Sequence, residues 1–251
     1  MPRMKSRAAF VSLLVAVSLV AAEAPKPPVA RRIPKSATVN GDTRTDDYGW
    51  LRDKQSKDVL AYLQAENAYT DAVMKPTAPL QQKLYDEMLS RIQQTDTNVP
   101  YRDGDSFYYS RFEAGKQYPI YARKKKTLDA PEEITLDLNA MSQGLRYLSV
   151  NAYEPSDDGS LLAYSVDKTG YREYELHIRD LRTGQDLPDV ATKTYDVEWA
   201  ADNKTLFYTM ADPAKRQYRI YRHKVGAKDD ELLYEEKDEL YDVSIDRSRD
   251  G

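Results

Sequence analysis

The 251-residue sequence carries 37 basic and 41 acidic side chains, a formal net charge of −4, and no extended basic pattern of the kind that binds nucleic acid. It contains no cysteine, which excludes disulfides, cysteine-ligated zinc and a thiol nucleophile and suits an oxidising compartment. The length holds one large domain or two modest ones. Twenty tyrosines, most of them at strand-like positions, point to aromatic packing inside a β-structure rather than to a platform for bases.

At the N-terminus, Arg3, Lys5 and Arg7 precede an uncharged run over residues 8–22, with small residues at Ala22 and Ala24. The pattern predicts an export signal over residues 1–22, cleaved after Ala22, because a cut after Ala24 would place Pro25 at the scissile bond. The run falls short of the roughly 20 residues that span a bilayer, so membrane contact is expected only during export, and the expected location is the periplasm. Removing residues 1–22 takes away three basic residues and no acid, leaving a net charge of −7.

Residues 23–33 are proline-rich and predict an extended linker, followed by a helical extension over residues 34–95. Residues 40–52 read as a loop anchored by Tyr48, Trp50 and Leu51. Ser56 is placed to cap a helix whose stripe is Val59, Tyr62, Leu63, Tyr69 and Val73, ending before Pro76. A second helix opens with Pro79 in its first turn and carries Leu80, Leu84, Met88 and Ile92 four apart, widened by Tyr85 and Leu89. Both stripes need an apolar partner that the rest of the sequence does not obviously provide.

From residue 96 to 251 one pattern returns. Each pass opens on an acidic turn, at Asp103-Gly104, Asp158-Gly159, Asp202-Asn203 and Asp250-Gly251. The first three lead into aromatic strands, Ser106-Phe-Tyr-Tyr-Ser110, Leu161-Leu-Ala-Tyr-Ser165 and Thr205-Leu-Phe-Tyr-Thr209. Second strands follow at Tyr118-Pro-Ile-Tyr-Ala122, Tyr174-Glu-Leu-His-Ile178 and Tyr218-Arg-Ile-Tyr-Arg222, and Val150, Val197 and Val243 mark a further strand at intervals of 47 and 46. A period in the mid-forties with about four short strands per unit predicts a β-propeller, because one blade cannot bury its own faces. The Gly-His and Trp-Asp pairs of WD40 repeats are absent. About three blades are visible, fewer than a ring requires, so the propeller is expected to be incomplete at the C-terminus.

Candidate chemistry is sparse. No Gly-x-Ser-x-Gly elbow occurs, and Asp158-Gly-Ser160 sits in a blade turn. His177 and His223 have no nucleophile in motif context and read as structural. The acidic runs Asp157-Asp158, Asp229-Asp-Glu231 and Glu235-Glu236 lack metal or glycosidase spacing, and Arg123-Lys-Lys-Lys126 reads as a solvated strand end. No catalytic, cofactor-binding or metal-ligating residue is assigned.

Asp46-Asp-Tyr-Gly-Trp-Leu-Arg-Asp53, the helical Glu66-Asn67-Ala68, and Val99-Pro-Tyr-Arg-Asp-Gly104 ahead of an aromatic strand resemble the N-terminal part of the prolyl oligopeptidase family of serine peptidases. Gly115-Lys-Gln-Tyr-Pro-Ile-Tyr-Ala-Arg-Lys-Lys125 and Glu133-Ile-Thr-Leu-Asp-Leu-Asn139 are more similar to oligopeptidase B (protease II) than to prolyl oligopeptidase itself. The resemblance covers residues 34–251; Gly49, Ala122 and the export signal depart from the pattern. It implies a mainly β chain with an N-terminal α-helical segment and the first blades of a seven-bladed propeller. It also implies an α/β-hydrolase domain beyond Gly251 that carries the Ser, Asp and His triad, holds the helices and needs no cofactor. Short peptides, cut after Arg or Lys, would be the substrates. The repeats alone equally permit a non-enzymatic periplasmic propeller that scaffolds other proteins.

Overall fold

Residues 24–248 are described by a computed structural model; the expected export signal lies outside the described residues. The chain divides into two compact units, one ending at Ile92 and one starting at Gln93.

In the first unit, Asn40 and Gly41 both hold left-handed φ angles, 52° and 82°. That two-residue turn closes a hairpin of β1 (Lys35–Val39) and β2 (Asp42–Asp46), paired from Lys35–Asp46 to Val39–Asp42. Part of this hairpin falls in residues 40–52, where a loop is expected. Every hairpin residue is exposed, so no hydrophobic alternation advertises the strands, and only the Asn-Gly dipeptide does. Next, Trp50 in a 3-10 turn (Gly49–Arg52) donates from Nε1 to the Arg31 carbonyl at 2.8 Å and packs edge-on against Tyr62. Tyr48, expected as a buried anchor, is exposed instead. A Cβ at Gly49 would lie 3.1 Å from Asp46 Oδ2, whose carboxylate holds the Tyr48 amide, so the turn favours glycine at this departure from the family pattern.

Helix α1 (Lys57–Met74) starts where expected, but Ser56 caps it through its carbonyl, which accepts from Leu60 N, and not through its hydroxyl. Pro76 falls in a 3-10 turn (Lys75–Thr77), and α2 (Ala78–Ser90) carries Pro79 in its first turn. Of the predicted stripes only Val59 is buried; Leu63, Val73, Leu80, Leu84, Tyr85 and Met88, with Ile92 just beyond, stand in solvent.

The second unit holds three antiparallel four-stranded sheets, each a run of consecutive strands. The first is β3 (Tyr101–Asp103), β4 (Ser106–Arg111), β5 (Ile120–Lys125) and β6 (Glu132–Asp137). The second is β7 (Ser149–Pro155), β8 (Leu161–Asp167), β9 (Glu175–Asp180) and β10 (Gln185–Thr192). The third is β11 (Thr194–Trp199), β12 (Thr205–Ala211), β13 (Gln217–Lys224) and β14 (Glu231–Glu235). The acidic turns expected to open each repeat instead join the first strand of each sheet to its second, with Gly104, Gly159 and Asn203 at φ 53°, 65° and 55°; the fourth, Asp250-Gly251, lies outside the described residues.

The sheets stack face to face, and β8 makes the period of two visible. Leu162, Tyr164 and Val166 turn to one side, where they pack with Leu136, Leu138 and Leu148. Ala163 turns to the other, into a cluster of Leu176, Ile178, Val197, Trp199, Leu206 and Tyr208. The middle sheet is therefore covered on both faces, and Phe207 of β12 looks from the third sheet into an open cleft of about 510 Å³. Residues 241–248, where Val243 was expected to mark a strand, form none. They leave the start of β13, where Val243 N donates to Gln217 O, and then run beside β11, with the amides of Ile245 and Arg247 on the carboxylates of Asp196 and Glu198.

Leu206→Ala, at a fully buried position between the second and third sheets, is expected to destabilise the chain by about 2–5 kcal/mol in urea unfolding. Leu84→Ala, on the bare face of α2, is expected to change stability by no more than about 0.5 kcal/mol in the same assay.

Candidate functional site

The residues weighed from sequence end up in structural roles. Ser160 sits in the turn after Gly159, its amide and the Ser156 hydroxyl both donating to Asp158 Oδ1. His177 on β9 stacks on Tyr164 with ring centroids 5.4 Å apart, and burial pushes its imidazole below the ordinary value. His223 lies within β13, not after a strand end, and is buried. Its Nδ1 is 2.6 Å from Asp230 Oδ1 and its Nε2 is 2.8 Å from Asp189 Oδ1. Both ring nitrogens are occupied by carboxylates and no serine or threonine bonds to the ring, so this Asp–His pair has no geometry for activating a nucleophile. Among the described residues no cluster of histidine and acidic side chains is suited to hold a metal ion.

Arg123 corrects the sequence reading of a solvated basic run. Its side chain is 2% exposed, donating to Glu133 Oε2 at 3.0 Å and, from Nη1, to the Gly159 carbonyl of the second sheet at 2.6 Å. Lys125 and Lys126 are exposed as that reading expects, whereas Lys124 is half-buried, its Nζ donating to the Leu128 carbonyl at 2.7 Å.

A polar device missed from sequence recurs in every sheet. The second-strand tyrosines Tyr109, Tyr164 and Tyr208 donate to Glu132, Asp186 and Asp230 at 2.6, 2.9 and 2.5 Å. Each acid also faces a cation or imidazole: Arg111, Arg179 and His223. Burial, then the bonded Glu132, pushes the Tyr109 phenol up to about 12. The acid lies 22 or 23 positions after its tyrosine, a spacing that was available in the sequence.

An acidic surface runs along the first strands. β7 and β11 stand side by side, tied by Asn151 Nδ2 to Tyr195 O at 2.8 Å and Trp199 Nε1 to Glu154 O at 2.7 Å. Asp103, Glu154, Asp196, Glu198, Asp242 and Asp246 repel one another along them and the neighbouring 241–248 segment. Burial, then Glu198 and then Asp103, pushes Glu154 up to about 7. Burial also raises Glu198 and Asp196, each with further acids as neighbours. Arg247, the nearest cation, is committed to Asp157 through both terminal nitrogens at 2.6 and 2.8 Å. The strip can attract cationic groups; it holds no nucleophile and no oxyanion donor set.

Because the folded value of Glu154 lies above its unfolded one, its contribution to stability is complete below the ordinary 4.5 and is lost as the pH rises through about 7. Between pH 5 and 8, unfolding free energy should therefore fall by about 2 kcal/mol more in the native chain than in Glu154→Gln. Parallel pH profiles in denaturant titrations would contradict that assignment. His223→Leu removes the imidazole from between Asp189 and Asp230, leaving the buried Asp189 with the Gly226 amide alone, and is expected to cost about 3 kcal/mol in the same titrations at neutral pH.

Residues 27–251 match the family described as "Prolyl oligopeptidase, N-terminal beta-propeller domain". The chain is 42% identical over 257 residues to dipeptidyl aminopeptidase BI of Pseudoxanthomonas mexicana, a match covering 93% of this chain and 35% of that protein. It is 38% identical over 236 residues to protease 2 of Moraxella lacunata, covering 90% and 34%. The solved structure of oligopeptidase B from Trypanosoma brucei with covalently bound antipain superimposes with a TM-score of 0.81 at 30% identity, covering 90% of this chain and 35% of that one. The chain thus spans about a third of the length of these relatives. With its three stacked sheets matched along almost their whole length, the chain belongs to the prolyl oligopeptidase family and carries part of that family's N-terminal propeller.

Proposed function

We propose that this chain is the propeller and helical portion of an exported serine oligopeptidase that hydrolyses short peptides after Arg or Lys. The observation that carries the proposal is the family match over residues 27–251 in a chain that spans a third of its relatives. Chemistry belongs to an α/β-hydrolase domain supplied by downstream sequence: serine attack, histidine proton transfer and backbone donors at the oxyanion. The bare stripe of Leu80, Leu84, Met88 and Ile92 docks on that domain, and the propeller restricts entry to short peptides. The acidic strip on the first strands supports a preference for cationic peptides, since a low-dielectric wall lined by one sign of charge concentrates the opposite one. Export to the periplasm, on the basic and apolar start of the sequence, completes the reading. Alone, the chain is catalytically silent.

A second reading within the same chemistry is favoured by the 42% identity to a protein named dipeptidyl aminopeptidase: the intact enzyme removes dipeptides from free N-termini.

The test is to express the open reading frame extended past codon 251 and assay fluorogenic peptides ending in Arg, Lys or Pro, with free and with acetylated N-termini. Cleavage after Arg and Lys irrespective of acetylation is expected. Loss of activity on acetylated peptides establishes the second reading, and cleavage after Pro alone, or no hydrolysis from any extended frame, refutes both. In the extended protein Leu84→Asp should lower stability by about 2 kcal/mol or more, whereas in the present chain it should be nearly neutral.

A further inference from the structure

At one end of the second and third sheets, three connections converge on a cleft of about 120 Å³. The β8–β9 loop supplies Arg172 and Glu173, the junction of β10 and β11 supplies Lys193, and the β12–β13 loop supplies Asp212 and Lys215. Arg172, Lys193 and Lys215 all hold left-handed backbones, at φ 56°, 58° and 74°. Besides Asn40 and Asn203, the only other non-glycine residue with positive φ among the described residues is Lys126. Three of the four strained cations therefore line one cleft. Glycine would hold each conformation without the steric cost, and here each carries a cationic side chain instead.

The backbones are pinned and the charges are not spent. Arg172 N donates to the buried Asp167 Oδ2 at 2.7 Å, and Arg172 O accepts from Tyr195 OH at 3.0 Å. Lys193 O accepts from Ala211 N at 2.8 Å, and Lys215 N donates to Asp212 O at 3.0 Å. Of the two acids present, Asp212 is engaged by the amides of Ala214 and Arg216 and by Arg216 Nε, and Glu173 by Lys215 Nζ at 3.2 Å. The Arg172 guanidinium and the Lys193 ammonium make no hydrogen bond or ion pair among the described residues. A polar cleft lined by two exposed, uncommitted cations with a third beside them suits an anion with several acceptor oxygens.

We infer that this cleft between the second and third sheets binds a single oxyanion group, a carboxylate or a phosphate, held by Arg172 and Lys193 with Lys215 at its rim. The volume admits such a group and no folded partner, so the ligand is either a free oxyanion or the carboxylate of a short peptide. The inference does not rest on the peptidase reading, because binding is read on this chain without any hydrolysis.

The experiment titrates the chain with inorganic phosphate, and separately with an N-acetylated dipeptide bearing a free C-terminal carboxylate, at ionic strength held constant with sodium chloride. Backbone amide shifts are the readout. Saturable shifts confined to residues 172, 173, 193, 195 and 215 are expected with at least one ligand. Saturation by phosphate alone assigns a free oxyanion; saturation by the dipeptide, with or without phosphate, assigns a peptide carboxylate. Arg172→Gly and Lys193→Gly keep the left-handed backbone and should each weaken binding about tenfold. Lys126→Gly, a strained cation elsewhere, should leave affinity unchanged. Linear, dispersed shifts with both ligands, or saturation that survives the paired Arg172→Gly and Lys193→Gly change, would overturn the assignment.

Discussion

Everything in the second unit depends on one constraint: a four-stranded sheet with apolar residues on both faces is stable only between neighbours. β8 meets it fully, burying Leu162, Tyr164 and Val166 against one sheet and Ala163 against the other. Ala163 is small where its counterparts Tyr108 and Phe207 are large, which lets Trp199 and Tyr208 of the third sheet come close. The third sheet repeats the arrangement on one side only, leaving Phe207 on an open cleft.

Apolar stacking alone does not fix the rotation of one flat sheet on another, since dispersion and the hydrophobic effect have no direction. Direction comes from polar contacts at the seams. Arg123 crosses from the first sheet to the Gly159 carbonyl of the second, Trp199 from the third to Glu154 O, and His223 from the third to Asp189. Buried polar groups of this kind add little net stability when satisfied and are costly when stranded, so they penalise wrong registers more than they reward the right one. The Tyr–carboxylate pairs do the same within each sheet, tying the second strand to the segment around the fourth.

The sequence carried the period of the fold because each sheet reuses one turn chemistry: Asp followed by a residue that tolerates positive φ, at Gly104, Gly159 and Asn203. It carried the helices because Pro76, Pro79 and the four-residue spacing from Leu80 act locally. The hairpin at Asn40-Gly41 was harder to see because its strands are exposed on both faces and lack alternation. Arg123 was misread because a cation beside three lysines looks solvated until its partner, 36 positions away, is brought alongside. The acidic strip and the strained cationic cleft draw on residues from different repeats, and no local pattern announces them.

The most direct test of the stacking account is native-state amide hydrogen exchange across the three sheets of this chain. Coverage on both faces predicts that Leu162, Ala163, Tyr164, Leu176 and Ile178 in the middle sheet exchange more slowly than their counterparts in the first and third sheets, each of which stacks on a neighbouring sheet through one face. Equal protection in all three sheets, or a middle sheet that opens first, would contradict the claim that neighbouring sheets hold one another in place.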